Sequence, residues 1–159
     1  MKKIIIFGNS SSGKSTLAKK LAQQEQLPHL DLDTIAWLPV VPPTRSPLVS
    51  SKQQIDNFIE TNDTWVIEGC YTDLLALVVT QASEIIFMNL PIELCIENAK
   101  NRSWEEHKYS SKTEQDANLP MLIEWISQYQ TRKDTFSLNA HQQLFNHFKK
   151  EKTLITSNR

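Results

Sequence analysis

Eight residues near the amino terminus, Gly8-Asn9-Ser10-Ser11-Ser12-Gly13-Lys14-Ser15, combine two glycines, a lysine and a run of small hydroxylated side chains. The spacing G-x-x-x-x-G-K-[ST] suits one chemistry, the binding of a polyphosphate. Gly8 and Gly13 supply backbone conformations that a β-carbon would block. Successive amides from Asn9 to Thr16 are then free to turn inward onto an anion, and a helix starting near Lys14 adds the positive end of its dipole. Lys14 is expected to reach the β- and γ-phosphates of ATP, with the Ser15 hydroxyl on Mg²⁺. The alternative is a serine-rich linker. It is disfavoured by the context, because apolar strand material precedes the stretch and an amphipathic helix follows it.

Carboxylates supply the second half of a reaction. Asp31 and Asp33 stand two apart in "HLDLD", expected at the end of a second strand, where side chains two apart share a face. Asp33 is then placed to take a proton from an acceptor hydroxyl, and Asp31 to help hold Mg²⁺ through water; the alternative is that both merely cap the following turn. "TWVIEG" reads as a strand ending in Glu68, suited to a metal-bound water, with Gly69 letting a substrate approach the backbone. A salt-bridged strand end is the competing role for Glu68. Trp37, beside Pro39, is a candidate wall for an acceptor pocket, and Tyr71 a candidate hydrogen-bond donor to the acceptor; both are equally open to packing roles. Arg102 precedes, and Arg132 follows, the polar run "NRSWEEHKYSSKTEQDAN". Arginines there are expected to stabilise charge on a transferred phosphoryl group if the run is a lid over about 102–118, rather than a solvated loop.

The elements that must position these groups are legible in outline. Ile4 to Phe7 is β-branched and apolar on both faces, as in a central parallel strand. Leu17, Ala18, Leu21 and Ala22 recur at helical spacing. "WLPVVPPTRSP" holds four prolines within nine residues, which predicts no regular structure. "SKQQIDNFIET" predicts a helix with Ile55, Phe58 and Ile59 on one face, and "DLLALVVTQA" another. "EIIFMNL" predicts a fourth strand, after which Pro91 opens a helix. Pro120 is expected to open an amphipathic segment, Leu144, Phe145 and Phe148 mark a further helix, and "KTLIT" a fifth strand. Strands alternating with helices predict an α/β sandwich around a parallel sheet. The 159 residues make one domain, with an acceptor-binding insertion at about 34–63. A net charge of −1 gives no global field for nucleic acid, so any anion site is local. Cys70 and Cys95 show no metal or redox spacing, the histidines are scattered, and no apolar run is long enough for a membrane span. A cytoplasmic protein, monomer or homodimer, is the expectation.

Taken together, "GNSSSGKST", "HLDLDTIAW", "WVIEGCY", "IIFMNLP" and "WISQYQTRK" resemble the adenylate-kinase-related P-loop proteins labelled DNA topology modulation or FlaR-like. Asp33 and Trp37 match that family's D-x-x-x-W, and Glu68, Gly69 and Tyr71 its W-I-I-D-G-N-Y. The family is similar in outline to shikimate and gluconate kinases. The resemblance implies a three-layer P-loop NTPase fold, a five-stranded parallel sheet of order 2-3-1-4-5 with a helical lid, and the cofactors ATP and Mg²⁺. It also puts Ser157-Asn158-Arg159 beside the adenine. Departures are Glu68 for the usual Asp, Cys70 for Asn, Asn89 for a frequent Asp, and "QYQ" in place of a more basic run. The implied function is a small-molecule phosphotransferase of the nucleoside- or shikimate-kinase type. The alternative is a nucleotide-binding regulatory ATPase with no small acceptor.

Overall fold

Strand β1 (Lys3–Gly8) is buried from Ile4 onward. The computed structural model, which describes residues 1–158, gives the reason. β1 runs parallel between β5 (Trp65–Gly69) and β6 (Glu84–Met88), so it meets neither solvent nor a sheet edge. β2 (His29–Asp31) extends the sheet beyond β5, and β7 (Glu151–Ile155) extends it beyond β6. The order is therefore β2-β5-β1-β6-β7. Two short strands, β3 (Trp37–Leu38) and β4 (Thr44–Arg45), form a separate antiparallel ribbon. With that ribbon set aside, the five sheet strands follow the expected 2-3-1-4-5 sequence order.

Alternation along β1 builds two cores. Ile5 and Phe7 join Ile55, Trp65, Ile67, Leu74 and Phe87 on the face covered by α2 (Leu48–Thr61), α3 (Thr72–Leu75) and α6 (Leu138–His147). Ile4 and Ile6 join Ala18, Val66, Cys95 and Ile126 on the face covered by α1 (Lys14–Glu25), α4 (Ile92–Lys100) and α5 (Lys112–Ser127). The result is a three-layer α/β sandwich. Burial of each large aliphatic side chain contributes roughly 1.5–3 kcal/mol. No helix among the described residues is long and apolar enough to cross a membrane.

Four local expectations are corrected. "HLDLD" leaves the sheet at Asp31 and turns into a 3₁₀ helix over Leu32–Thr34. The Asp31 carboxylate caps that turn by accepting from the Asp33 amide at 2.9 Å. "DLLALVVTQA" is not one helix: α3 ends at Leu75, and a 3₁₀ turn covers Val79–Gln81, consistent with the stiffness of the β-branched Val78-Val79 pair. The proline-rich stretch contains the β3–β4 ribbon, with Trp37 opposite Arg45. Pro39, Pro42 and Pro43 lie between its strands, where no ladder donor is required. Finally, helix α5 begins at Lys112 rather than at Pro120. The Ser111 hydroxyl accepts from the Glu114 amide at 3.1 Å and nucleates the first turn, so Pro120 is carried inside the helix. The polar loop thus ends at Ser111, and the rest of the polar run is the first turns of α5.

Parallel strands deliver their carboxyl ends to one side of the sheet. Gly8 and Asp31 end their strands there and Glu68 is next to last in β5, on the side where open α/β sheets bind ligands.

Candidate active site

The loop after β1 is left-handed at Gly13 (φ 96°, ψ 14°), and Ser11 also has positive φ. A β-carbon on Gly13 would lie 2.6 Å from Asn158 Nδ2, and one on Gly8 would collide with the Met88 carbonyl. Gly13 is the N-cap of helix α1, which has no side-chain cap and no acidic residue in its first turn. Its leading amides therefore keep an unneutralised positive end, which favours an anion. Behind the loop, the buried Asn9 accepts from the Ser10 amide at 2.8 Å and donates through Nδ2 to the Ile126 carbonyl at 3.3 Å. Asn98 Nδ2 donates to the Ser11 carbonyl at 2.9 Å, and Asn158 Nδ2 to that of Ser12 at 3.1 Å. The buried Ser12 hydroxyl has no hydrogen-bond partner among the described residues. Lys14 folds back, Nζ donating to the Asn9 carbonyl at 2.7 Å.

Ser10, Ser11, Gly13, Lys14, Ser15 and Thr16 form one wall of a cavity of about 810 Å³. Asp31, Asp33, Trp37, Glu68 and Gly69 lie on its other walls, so most of the residues singled out by the sequence converge here. Gly8, Asn9 and Ser12 shape the loop from behind.

The Ser15 hydroxyl donates to Glu68 Oε1 at 2.6 Å. Glu68 is almost fully buried, and its second oxygen, Oε2, contacts His29 Nε2 at 2.8 Å. Asp31 stands directly opposite Glu68 across the β2–β5 ladder. Burial, followed by the charges of Asp33 and Glu68, pushes the Asp31 carboxyl above its usual range. Carboxylates in register are unfavourable neighbours unless something positive sits between them. One hydroxyl and two carboxylates form a hard oxygen donor set that fits Mg²⁺. Among the described residues, no three His, Cys, Asp or Glu side chains converge as a metal cage. A cation here would therefore be held with the help of waters and phosphate oxygens.

On the opposite wall, both oxygens of Asp33 are engaged. Tyr71 Oη donates to Oδ1, while Lys108 Nζ pairs with Oδ2 at 2.8 Å. Trp37 Nε1 donates in turn to Tyr71 Oη at 2.8 Å. Burial drives the Asp33 carboxyl upward, but Lys108 and Tyr71 outweigh it and hold the group below the ordinary carboxylate range. Trp37 keeps 40% of its surface exposed and lines the cavity. Tyr71 is buried beneath Arg45, whose guanidinium carbon lies 4.9 Å from the ring centroid, and Arg45 is itself ion-paired to Asp73 at 3.0 Å. Tyr71 thus reaches the cavity only through Asp33. Gly69 is explained by packing as well as by the cavity, because a β-carbon there would press on Leu32 at 2.9 Å. Burial pushes the Cys70 thiol up to about 12, so it stays protonated at neutral pH.

Across the top runs the loop between α4 and α5. Arg102 Nη2 donates to Ser11 Oγ at 2.8 Å, and its Nη1 pairs with Glu105 at 2.9 Å. Arg132 is not brought to the cavity, contrary to expectation. It falls in the turn after α5, where its amide donates to the Gln128 carbonyl. Its guanidinium carbon lies 3.3 Å from the centroid of the Trp125 ring and it pairs with Asp134 at 3.3 Å. His29 and Lys108 were not singled out by the sequence; neither belongs to a recognisable spacing, and both arrive through the register of β2 and the course of the loop.

A second cavity, about 740 Å³, opens on the other side of the glycine-rich loop and is lined by Gly13, Asn98, Ile155, Ser157 and Asn158. This is the region where the resemblance puts the adenine; Arg159 lies outside the described residues.

The fold recurs in solved proteins. A sugar kinase from Janibacter sp. HTCC2649 superposes with a TM-score of 0.56 at 10% identity, covering 98% of this chain and 85% of its own. A gluconokinase from Sinorhizobium meliloti 1021 gives 0.55 at 13% identity, with 99% and 83% covered. A shikimate kinase from Acinetobacter baumannii, solved with shikimate, gives 0.55 at 13%, with 100% and 85% covered. The chain has the P-loop kinase fold. At these identities the likeness extends to the fold alone. In sequence, the uncharacterized protein YqaC of Bacillus subtilis (strain 168) is 24% identical over 133 residues, spanning 80% of this chain and 72% of YqaC. No protein-family model matches the chain.

Proposed function

We propose that the chain is a Mg²⁺-dependent ATP phosphotransferase acting on a small hydroxylated acceptor. One observation carries the reading: a single cavity has an uncapped helix amino end with Lys14 on one wall and the ionised carboxylate of Asp33 on another. In this reading the amides from Ser10 to Ser15, with Lys14, hold the β- and γ-phosphates. Ser15 and Glu68, with Asp31, hold Mg²⁺, which when bound offsets phosphate charge. His29 keeps Glu68 oriented. Asp33 accepts the proton of the acceptor hydroxyl as that oxygen attacks the γ-phosphorus. Arg102 donates to the transferring phosphoryl group, and Trp37 walls the acceptor. The loop over the cavity keeps water away from the reacting atoms.

Calorimetric titration with ATP and Mg²⁺ tests the reading. Lys14→Ala removes a charge-assisted contact and is expected to weaken binding about 10- to 100-fold. Unchanged affinity would overturn the assignment of the loop. Formation of ADP is then followed with nucleosides, nucleotides, sugars and hydroxy acids in turn, and stimulation by one class identifies the acceptor. A uniform slow background would favour the second reading, a regulatory ATPase without a small acceptor. The seclusion of Arg132 against Trp125, which leaves the cavity with fewer arginines than expected, speaks for that alternative.

A further inference from the structure

Both oxygens of the Asp33 carboxylate hold side-chain partners: Tyr71 donates to Oδ1, and Lys108 pairs with Oδ2. Tyr71 is a fixed partner, buried in the core and locked by Trp37. Lys108 is different. It rises from the loop over the cavity, and Glu105 Oε2 offers it a second station 3.5 Å away. The same Glu105 holds Arg102, which reaches Ser11 in the glycine-rich loop. Lys108 therefore ends a chain of charges that begins at the phosphate wall and closes on the wall opposite. A hydroxyl approaching Oδ2 therefore competes with the ammonium of Lys108 for that oxygen.

We propose that Lys108 is a gate on Asp33: it occupies Oδ2 while no acceptor is bound, and an acceptor hydroxyl takes that oxygen by displacing it. This rests on the phosphotransferase reading and adds to it a safeguard against wasted ATP. The suppressed reaction is hydrolysis. In that step a water oxygen bonds to the γ-phosphorus while the bond from that phosphorus to the ADP oxygen breaks. The water gives its proton to Asp33, and the products are ADP and inorganic phosphate. With Lys108 on Oδ2, Asp33 is a weaker and more crowded base for that proton. Lys108 is accordingly a positioning residue, acting through Asp33 rather than on the reacting atoms.

The test measures ADP release from ATP and Mg²⁺ with no acceptor added, with ATP affinity measured calorimetrically on the same samples. Lys108→Met is expected to raise acceptor-free hydrolysis roughly fivefold or more, corresponding to about 1 kcal/mol in the barrier, with ATP affinity unchanged. Lys108→Arg keeps a cation over Oδ2 and should return hydrolysis toward the wild-type rate, a rescue that a purely structural role would not require. Asp33→Asn in the Lys108→Met background should abolish the rise. Lys108→Gln replaces the methionine variant if that one folds poorly. Hydrolysis in both substitutions equal to or below wild type, with normal ATP binding, would overturn the gate while leaving the phosphotransferase reading intact. Failure of the wild-type protein to bind ATP would overturn both, and the binding measurement tells the two failures apart.

Discussion

Protonation of His141 should destabilise this protein from inside the core beneath α6. The imidazole projects from α6 toward the strands and is fully buried, edge-on to Phe7 at 5.6 Å and to Phe87 at 6.0 Å between ring centroids. It is neutral with a fixed tautomer: Nε2–H donates to the Cys70 carbonyl at 2.8 Å, so Nδ1 accepts from Tyr129 Oη at 2.6 Å. Burial is the largest influence on it, and the nearby Lys14 adds to it; the Cys70 carbonyl opposes both, and the balance presses the group to about 4. In the unfolded chain the ordinary value near 6.5 returns. Between these values the unfolded chain binds a proton that the folded protein refuses. Stability is therefore full above about pH 6.5 and is lost as pH falls toward 4. The linkage relation gives a loss on the order of 2 kcal/mol by pH 5 and 3 kcal/mol by pH 4. Carboxylates contribute to the same pH range, so the measurement is a difference. Urea unfolding of wild type and His141→Gln, followed by circular dichroism at pH 7, 6 and 5, isolates the histidine. The glutamine variant should be the less stable at pH 7, and its deficit should shrink by about 2 kcal/mol at pH 5. A deficit constant with pH, or a His141 resonance titrating near 6.5, would refute the reasoning.

Two further outcomes follow from the geometry of the loop and of the turn after α5. Gly13→Ala forces a side chain into a left-handed residue and against Asn158. It should cost about 1–3 kcal/mol in thermal or urea unfolding and weaken ATP binding in the same titration used for Lys14. Arg132→Ala removes the contact with Trp125 and should destabilise the fold by about 0.5–2 kcal/mol. It should leave ADP formation at the wild-type rate; a loss of turnover at full stability would return Arg132 to the site.

The glycine-rich loop was legible because its chemistry is local. Two glycines, a lysine and a hydroxyl at fixed spacing constrain the backbone whatever the rest of the chain does. Glu68 was legible for a related reason, since a carboxylate at the end of an apolar strand is conspicuous. Asp33 reached the expected cavity by an unexpected route. The strand-face argument fails at Leu32, yet the turn capped by Asp31 still presents Asp33 to the same space. Lys108 and His29 were invisible, because a lysine in a polar run and a histidine at a strand start carry no spacing that distinguishes them. Their roles depend on which residues lie across the sheet and under the loop, and that is tertiary information. Arg132 was misplaced for the converse reason: position near a lid in sequence says nothing about where a long, flexible side chain finds its best stacking partner.

Helix α5 grips both ends of the machinery. Gln115 in its early turns holds the Glu105 amide and the Ser103 carbonyl of the loop above the cavity. Ile126, near its far end, receives Asn9 from the bend that follows β1. One helix thus hydrogen-bonds to the loop above the cavity and to the bend beneath it, so roof and floor share a single support.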